Sequence, residues 1–250
     1  MVIPDAIGTM EQQLRAIFGT RLQSLVLYGH RAHALQQARR EHDDGHAAHG
    51  HDAPPLRTLA VVDTMTPDDL RACAKCVDAW HDAGLATPLL VAARELEHSL
   101  DAFPLEFGAI LSDHTVISGG NPFASLTIDP ADVRRACEVQ ARSHLLHLRE
   151  GFLETRGRPD ALADLIVQSA AAFAALVASV ARLEGHASDD RAAAARHVER
   201  VLNAPGAVTA VTKLAGLREI TSGDAERLFP PYLDAVDRLV SYVDGWTNGR

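Results

Sequence analysis

Four histidines lie close together in the segment "EHDDGHAAHGHDAPP", at His42, His46, His49 and His51. Imidazole nitrogens bind Zn²⁺, Ni²⁺ or Cu²⁺, and the aspartates beside them can serve as further ligands. No paired spacing fixes a coordination geometry, however, and ordering such a segment costs about 1–2 kcal/mol per residue. Polar insertions of this kind are usually solvated. The sequence therefore predicts a surface insertion, with metal binding by these histidines as the alternative.

The histidine-rich segment separates two predicted strands. "SLVLYG" is a short run rich in Leu and Val that ends at Gly29, and the polar residues after it have helical propensity. "LRTLAVVD" is the second strand, "ATPLLVA" the third, and "HTVISG" a short fourth one. Apolar residues at helical spacing predict a first helix over 4–20. Thr66 and Pro67 have the types expected at the start of another helix.

The pattern changes after Asp129-Pro130. Ala- and Leu-rich periods with helical spacing follow one another to the end, and no convincing strand interrupts them. The sequence therefore predicts an all-helical second half. Its helices are expected near 130–156, 159–185, 189–203, 207–219 and 224–246, with Phe152 on the buried face of the first.

The layout of the chain resembles that of the minimal nucleotidyltransferases, above all the kanamycin nucleotidyltransferase type. The resemblance rests on an amphipathic helix, the strand "SLVLYG", the polar turn "HRAHA", a loop, the strand "LRTLAVVD" and a helical second half. It implies an α+β fold. A nucleotidyltransferase-like mixed α/β domain with a short sheet is expected over 1–125, followed over 126–250 by an all-α helical bundle related to the HEPN group.

The turn after the first strand carries the resemblance in its residues. Tyr28, Gly29, Arg31 and Ala32 match the family turn "YGSRARG", and His30 stands where the family has serine. In the family this turn brings the backbone close to the nucleotide phosphates, which nearby amides bind. The resemblance therefore implies Gly29, His30 and Arg31 as nucleotide-binding residues.

The family's metal ligands have no counterpart in this sequence. Aligning the family strand "SDIDLLVV" with "LRTLAVV" places Leu56 and Thr58 at the two aspartate positions. Carboxylates on alternate strand residues can hold two metal ions about 3.5–4 Å apart, but neither Leu nor Thr supplies a charged oxygen to Mg²⁺. "ATPLLVA" lacks the third carboxylate, and Asp63 falls on the other face of an ideal strand.

These substitutions predict a catalytically degenerate protein, with no identifiable catalytic residues, that binds a nucleotide, another small ligand or a partner. An active Mg²⁺-dependent nucleotidyltransferase is one alternative, transferring a nucleoside monophosphate from a nucleoside triphosphate to a small-molecule or macromolecular acceptor. A metal-binding protein that holds Zn²⁺ or Ni²⁺ in the histidine-rich segment is another. An unrelated α/β domain is the third.

Other chemically capable residues have plainer interpretations. Cys73 and Cys76 form a C-x-x-C, but they lie in an amphipathic helix where buried thiols are more common than redox or metal sites. Glu106 lies among large apolar residues, and either a functional base or a helix cap would suit it. Arg191 and His197 have the spacing of HEPN ribonucleases, which an Ala- and Arg-rich chain produces easily by chance. The first bundle helix is rich in basic residues that either bind a phosphate or acidic partner or form a solvated face: Arg134, Arg135, Arg142, His144, His147 and Arg149.

Composition limits the classes of partner. The chain has 250 residues, a net charge of -9 and 5% aromatic residues, which argues against a broad nucleic-acid-binding surface. No long apolar run or basic leader indicates a membrane span or signal peptide, and three cysteines suit a reducing compartment. We expect a cytoplasmic protein with a nucleotide or small-molecule ligand, and a homodimer is compatible with the sequence.

Overall fold

The computed structural model describes residues 5–29, 55–186 and 190–247. Contacts along the chain divide it into two units, Met1–Thr127 and Ile128–Arg250. The first unit is built on a sheet and the second is helical.

The sheet of the first unit has four strands in the order β3-β2-β1-β4. Their bounds are β1 Leu22–Tyr28, β2 Arg57–Val62, β3 Leu89–Ala92 and β4 His114–Gly119. The central strand β1 runs antiparallel to both β2 and β4, whereas β2 and β3 are parallel. All four predicted strands are therefore present. In this arrangement the carboxyl end of β1 meets the amino ends of β2 and β4.

Helices surround this sheet. They are α1 Asp5–Phe18 with a 3-10 turn Gly19–Arg21, α2 Pro67–Ala74, α3 Val77–Asp82, α4 Ala93–Ala102 and α5 Pro104–Ser112. The expectation of one continuous amphipathic helix after Thr66 was wrong. The chain turns between α2 and α3, where the Cys76 N–H bonds the Cys73 carbonyl, and the apolar side chain of Leu70 is exposed.

Both faces of the sheet are covered, which explains why its strands are almost continuously apolar. Val26, Leu59 and Val61 are buried on one face. On the other face, α1 packs its apolar stripe against alternate strand residues. This α1-facing cluster includes Ile7, Met10, Leu14, Phe18, Leu25, Leu27, Ala60 and Val62.

An ion pair fixes the start of α2 against the end of α1. Arg21 donates from both terminal nitrogens to Asp69, at 2.7 and 2.8 Å. Asp69 also accepts from the backbone and hydroxyl of Thr66, which caps the helix in return. The hydrogen bonds from Arg21 and Thr66 hold the pKa of Asp69 well below its usual range. The buried face of α2 therefore carries a carboxylate that periodicity alone does not predict.

One glycine is essential to the sheet. Gly119 has φ of +80°, and a Cβ there would lie 1.9 Å from the Gln23 carbonyl oxygen. Only a residue without a side chain fits at this crossing of β4 and β1.

The second unit contains five helices among its described residues. They are α6 Pro130–Glu154, α7 Pro159–Leu183, α8 Arg191–Leu202, α9 Ala207–Lys213 and α10 Ser222–Asp244. They agree closely with the predicted helices, except that α9 ends at Lys213 and not near residue 219. The core of the second unit includes Leu145, Leu148, Ile166, Phe173, Val180, Tyr232, Val236 and Leu239.

Two features of this core differ from expectation. Phe152 is 42% exposed, so its assignment to the buried face of α6 was wrong, and its ring stacks on Phe229 at 4.5 Å instead. The helix α7 is long and apolar enough to cross a membrane by length and composition. Many of its side chains are packed inside the unit, and core helices meet the same criterion, so α7 argues only weakly for a membrane span.

Candidate ligand-binding site

The predicted phosphate-binding turn is described only at its first residue. Gly29 follows β1 directly, has φ of +92°, and donates its N–H to the Asp113 carbonyl oxygen at 3.2 Å. This conformation favours glycine, in keeping with a tight turn. His30 and Arg31 lie outside the described residues, as do His42, His46, His49 and His51. The predictions for these six residues stay predictions.

The two positions aligned with the family's aspartates lie on the α1 side of the sheet. Thr58 is 1% exposed, and its hydroxyl lies 3.3 Å from the Met10 sulfur. Leu56 packs against the same cluster and forms a parallel bridge with Leu85. Both side chains therefore belong to the apolar core, where a metal-binding carboxylate would have no water or phosphate to meet.

The described residues do not provide a carboxylate set for Mg²⁺. Neither β2 nor β3 contains an acid. Asp63 is exposed after β2, where its N–H bonds the Arg21 carbonyl. Across residues 5–29, 55–186 and 190–247, no group of three or more His, Cys, Asp or Glu side chains could hold a metal ion. The metal expected from the resemblance does not fit this part of the chain.

Three polar side chains line up across the sheet at the end of β1. Tyr28 pairs with Arg57 on β2 and with His114 on β4. Directly paired residues project to the same face, and strands lie about 4.8 Å apart, so the three Cα positions span about 10 Å. We call Arg57, Tyr28 and His114 the cross-strand row. It lies on the face opposite α1, beside the Gly29 turn.

His114 is held in one orientation by the end of α5. Its Nδ1 lies 3.1 Å from the carbonyl oxygens of both Ile110 and Leu111, and its ring meets Phe123 edge-on at 5.1 Å. Because carbonyls only accept hydrogen bonds, Nδ1 carries the proton. Nε2 has no hydrogen-bond partner among the described residues. Because Nδ1 carries the proton, Nε2 accepts a hydrogen bond in the neutral ring and donates one to an anion only in the doubly protonated ring.

The other two members of the row also have polar groups without partners among the described residues. Tyr28 is half-buried, and burial raises the pKa of its hydroxyl. The charge of Arg57 lowers this pKa, whereas the charge of Glu106 raises it. Arg57 is exposed. Within the described ranges, Arg57 makes no ion pair and the Tyr28 hydroxyl no hydrogen bond. Glu106 is itself exposed in the first turn of α5, which suits a helix N-terminus and does not make it a buried base.

The thiols are ordinary core groups. Cys73 is buried, and burial raises its pKa, with further contributions from Cys76 and Asp69. Cys137 is fully buried in the second unit, and burial raises its pKa to about 12. High thiol pKa values disfavour redox chemistry at these sites.

The basic residues of α6 are mostly paired within the chain. Arg142 contacts Glu138 and Asp244, and Arg149 contacts Asp237 at 3.0 Å. The remaining pairs are Arg134–Glu138, Arg135–Asp132 and His147–Glu150. These neighbours neutralise the basic face, which favours the solvated-face interpretation over a phosphate site.

Two histidine clusters in the second unit are largely internal. His144 Nε2 lies 2.6 Å from the Tyr232 hydroxyl, and burial lowers the pKa of His144 to about 4. His197 stacks on His186 with ring centroids 4.5 Å apart, and its buried Nε2 has no hydrogen-bond partner in the described part of the chain. Arg191 is exposed at the first turn of α8. A ribonuclease pair of Arg191 and His197 gains no support from this stacked arrangement.

Comparisons with known proteins agree with the fold. No family model matches the sequence, and no curated protein matches it. Among solved structures, the chain is similar to the spectinomycin adenyltransferase of Enterococcus faecialis, crystallised with ATP and spectinomycin. The TM-score is 0.52 and the identity 13%, and the alignment covers 94% of this chain and 98% of the other. The chain thus has a nucleotidyltransferase-like α+β fold, with a mixed α/β part followed by a helical one.

Proposed function

We propose that this chain is a catalytically degenerate nucleotidyltransferase-fold protein that binds a nucleotide or another phosphate-bearing small molecule. The observation that carries the proposal is the chemistry at the end of β1. A cross-strand row of Arg57, Tyr28 and His114 stands beside the Gly29 turn, where the resemblance places a phosphate site. Its cationic and hydroxyl groups are suited to holding a ligand.

The degenerate part of the proposal rests on what β2 and β3 contain. Nucleotidyl transfer relies on metal ions that stabilise the charge developing on the triphosphate. Leu56 and Thr58 pack in the core, and neither strand has a carboxylate. Without such ligands the site can retain affinity for phosphates and lose the main source of rate enhancement.

An active nucleotidyltransferase is the second candidate, because the similar solved structure is an adenyltransferase that contains ATP and spectinomycin. In that case the ligand would be a nucleoside triphosphate and the acceptor a small molecule. Carboxylates from residues 30–54, which lie outside the described ranges, would have to supply the metal ligands. Zn²⁺ or Ni²⁺ binding by the histidine-rich segment stays a separate prediction.

Calorimetric titration with ATP, GTP, CTP and UTP tests the binding proposal. We expect saturable binding of at least one nucleotide, and strong loss of that binding in Gly29→Val, because a β-branched residue is strained at φ of +92°. Gly157→Val is the matched control: Gly157 has φ of +74°, also has open space around it, and lies in the helical unit. Failure of all four nucleotides to bind would refute nucleotide binding.

A further inference from the structure

We infer that the cross-strand row binds the ligand's phosphate groups directly, without a divalent metal ion, and that Arg57 replaces the charge that metal ions supply in active nucleotidyltransferases. This inference rests on the proposed function and specifies how the ligand is recognised. The chemical class is a di- or triphosphate, recognised through its anionic oxygens.

The position of Arg57 supports this assignment. It is the first residue of β2, the strand that carries the aspartate pair in the resembling family. Thr58 pairs with Leu27 of β1, which belongs to the α1-facing cluster. The neighbouring Arg57 therefore projects from the other face of the sheet, beside Tyr28. A guanidinium therefore occupies the start of β2 on the face that also carries the rest of the row. It would repel a metal cation and attract a phosphate.

Within the described residues, three groups of the row lack hydrogen-bond or ion-pair partners: the Arg57 guanidinium, the Tyr28 hydroxyl and His114 Nε2. Each belongs to a residue whose backbone is paired in the sheet. A span of about 10 Å exceeds one phosphate group and suits a chain of phosphates. The hydrogen bonds that His114 donates to the α5 carbonyls already orient its ring, so little ordering is needed when a ligand binds.

One nearby charge opposes the anion. Glu106 lies close enough to Tyr28 to raise its pKa electrostatically. Removing that charge should therefore strengthen binding, whereas removing the Arg57 charge should weaken it. A metal-dependent site would respond in the opposite sense, since carboxylates attract cations and an arginine repels them.

The test uses the full chain and two probes, ATP and inorganic tripolyphosphate, each titrated with Mg²⁺ and again with excess EDTA. We expect both probes to bind with dissociation constants that change less than about threefold between the two conditions. Arg57→Gln should weaken both by about tenfold or more, Tyr28→Phe should weaken them less, and Glu106→Gln should strengthen them. Arg94→Gln is the matched control, because Arg94 is exposed and follows β3 at the far end of the sheet.

The outcomes separate this inference from the proposed function. If ATP binds only with Mg²⁺, or if Arg57→Gln leaves ATP binding unchanged, direct recognition is wrong, whereas nucleotide binding by the protein still holds. Tripolyphosphate binding without any nucleotide binding supports direct recognition and contradicts a nucleotide ligand. If neither probe binds in either condition, both are wrong.

Discussion

At the scale of single residues, the direction of the side chain at position 58 shows whether the metal site expected from the resemblance is lost or only rearranged. Thr58 lies at the second aspartate position of the sequence alignment, yet its side chain points under α1 and contacts Met10. Restoring a carboxylate here would place a charge in an apolar core. A pair of carboxylates facing the other side of β2 would have to stand at 57 and 59, which are Arg57 and the buried Leu59.

Thr58→Asp should therefore destabilise the protein by about 3 kcal/mol or more and should restore no metal binding, because the buried carboxylate has no cation or adequate donor. Thr58→Val is the matched control. It keeps the volume and loses only a weak contact with sulfur, so we expect a change of about 1 kcal/mol or less. Urea unfolding of both variants measures this. An aspartate variant as stable as the valine variant would show that position 58 faces water.

At the scale of elements, a short polar chain joins three helices of the second unit. Ser169 on α7 donates to the Ile166 carbonyl at 3.0 Å, so it accepts from the Tyr232 hydroxyl of α10. Tyr232 must then accept from His144 of α6, whose Nε2 carries the proton. The ring of His144 also stacks on Phe173 at 5.5 Å. The network therefore fixes which nitrogen of His144 carries the proton, and burial of the ring disfavours its charged form.

The buried position of His144 predicts a loss of stability in acid. Burial lowers the pKa of His144 to about 4, below the value of about 6.5 for an unfolded chain. Between these values the unfolded state binds more protons, so stability is fully present above about pH 6.5 and falls as the pH drops towards 4. The free energy of unfolding should fall by on the order of 2 kcal/mol. This is less than the full pKa shift implies, because the imidazole keeps some contact with solvent.

Urea unfolding at about pH 7 and about pH 5 measures this effect. His144→Gln should reduce the difference in unfolding free energy between the two pH values, since an amide keeps a donor for Tyr232 and does not titrate. His98→Gln serves as the control, because His98 is exposed on α4. If both variants show the same pH dependence as the original protein, His144 is not held neutral by the fold.

At the scale of the whole molecule, the order of elements was the most predictable property. Alternating strands and helices followed by long helical periods indicated an α/β half and a helical half, and the resemblance implied a nucleotidyltransferase-like α+β fold. The similar solved structure spans nearly the entire chain. Strands and long helices have strong periodic signals. The break between α2 and α3 was missed because no Gly or Pro marks it in the sequence between Pro67 and Asp82.

The candidate site was harder to predict than the fold. Tyr28, Arg57 and His114 are separated in sequence and meet only through the register of three strands. A usable signal was present: each lies at the end of an apolar strand, and antiparallel pairing brings such ends together. The phosphate-binding turn was predicted from the resemblance, and of its three predicted nucleotide-binding residues only Gly29 is described.

The central claim is that this nucleotidyltransferase-like fold binds without transferring. The most direct measurement incubates the protein with nucleoside triphosphates labelled at the α-phosphate, Mg²⁺ or Mn²⁺, and either spectinomycin or cell extract. The Enterococcus faecialis spectinomycin adenyltransferase, which is similar in fold, serves as the positive control. We predict binding of label with no transfer to any acceptor. Metal-dependent appearance of label on an acceptor would contradict the account.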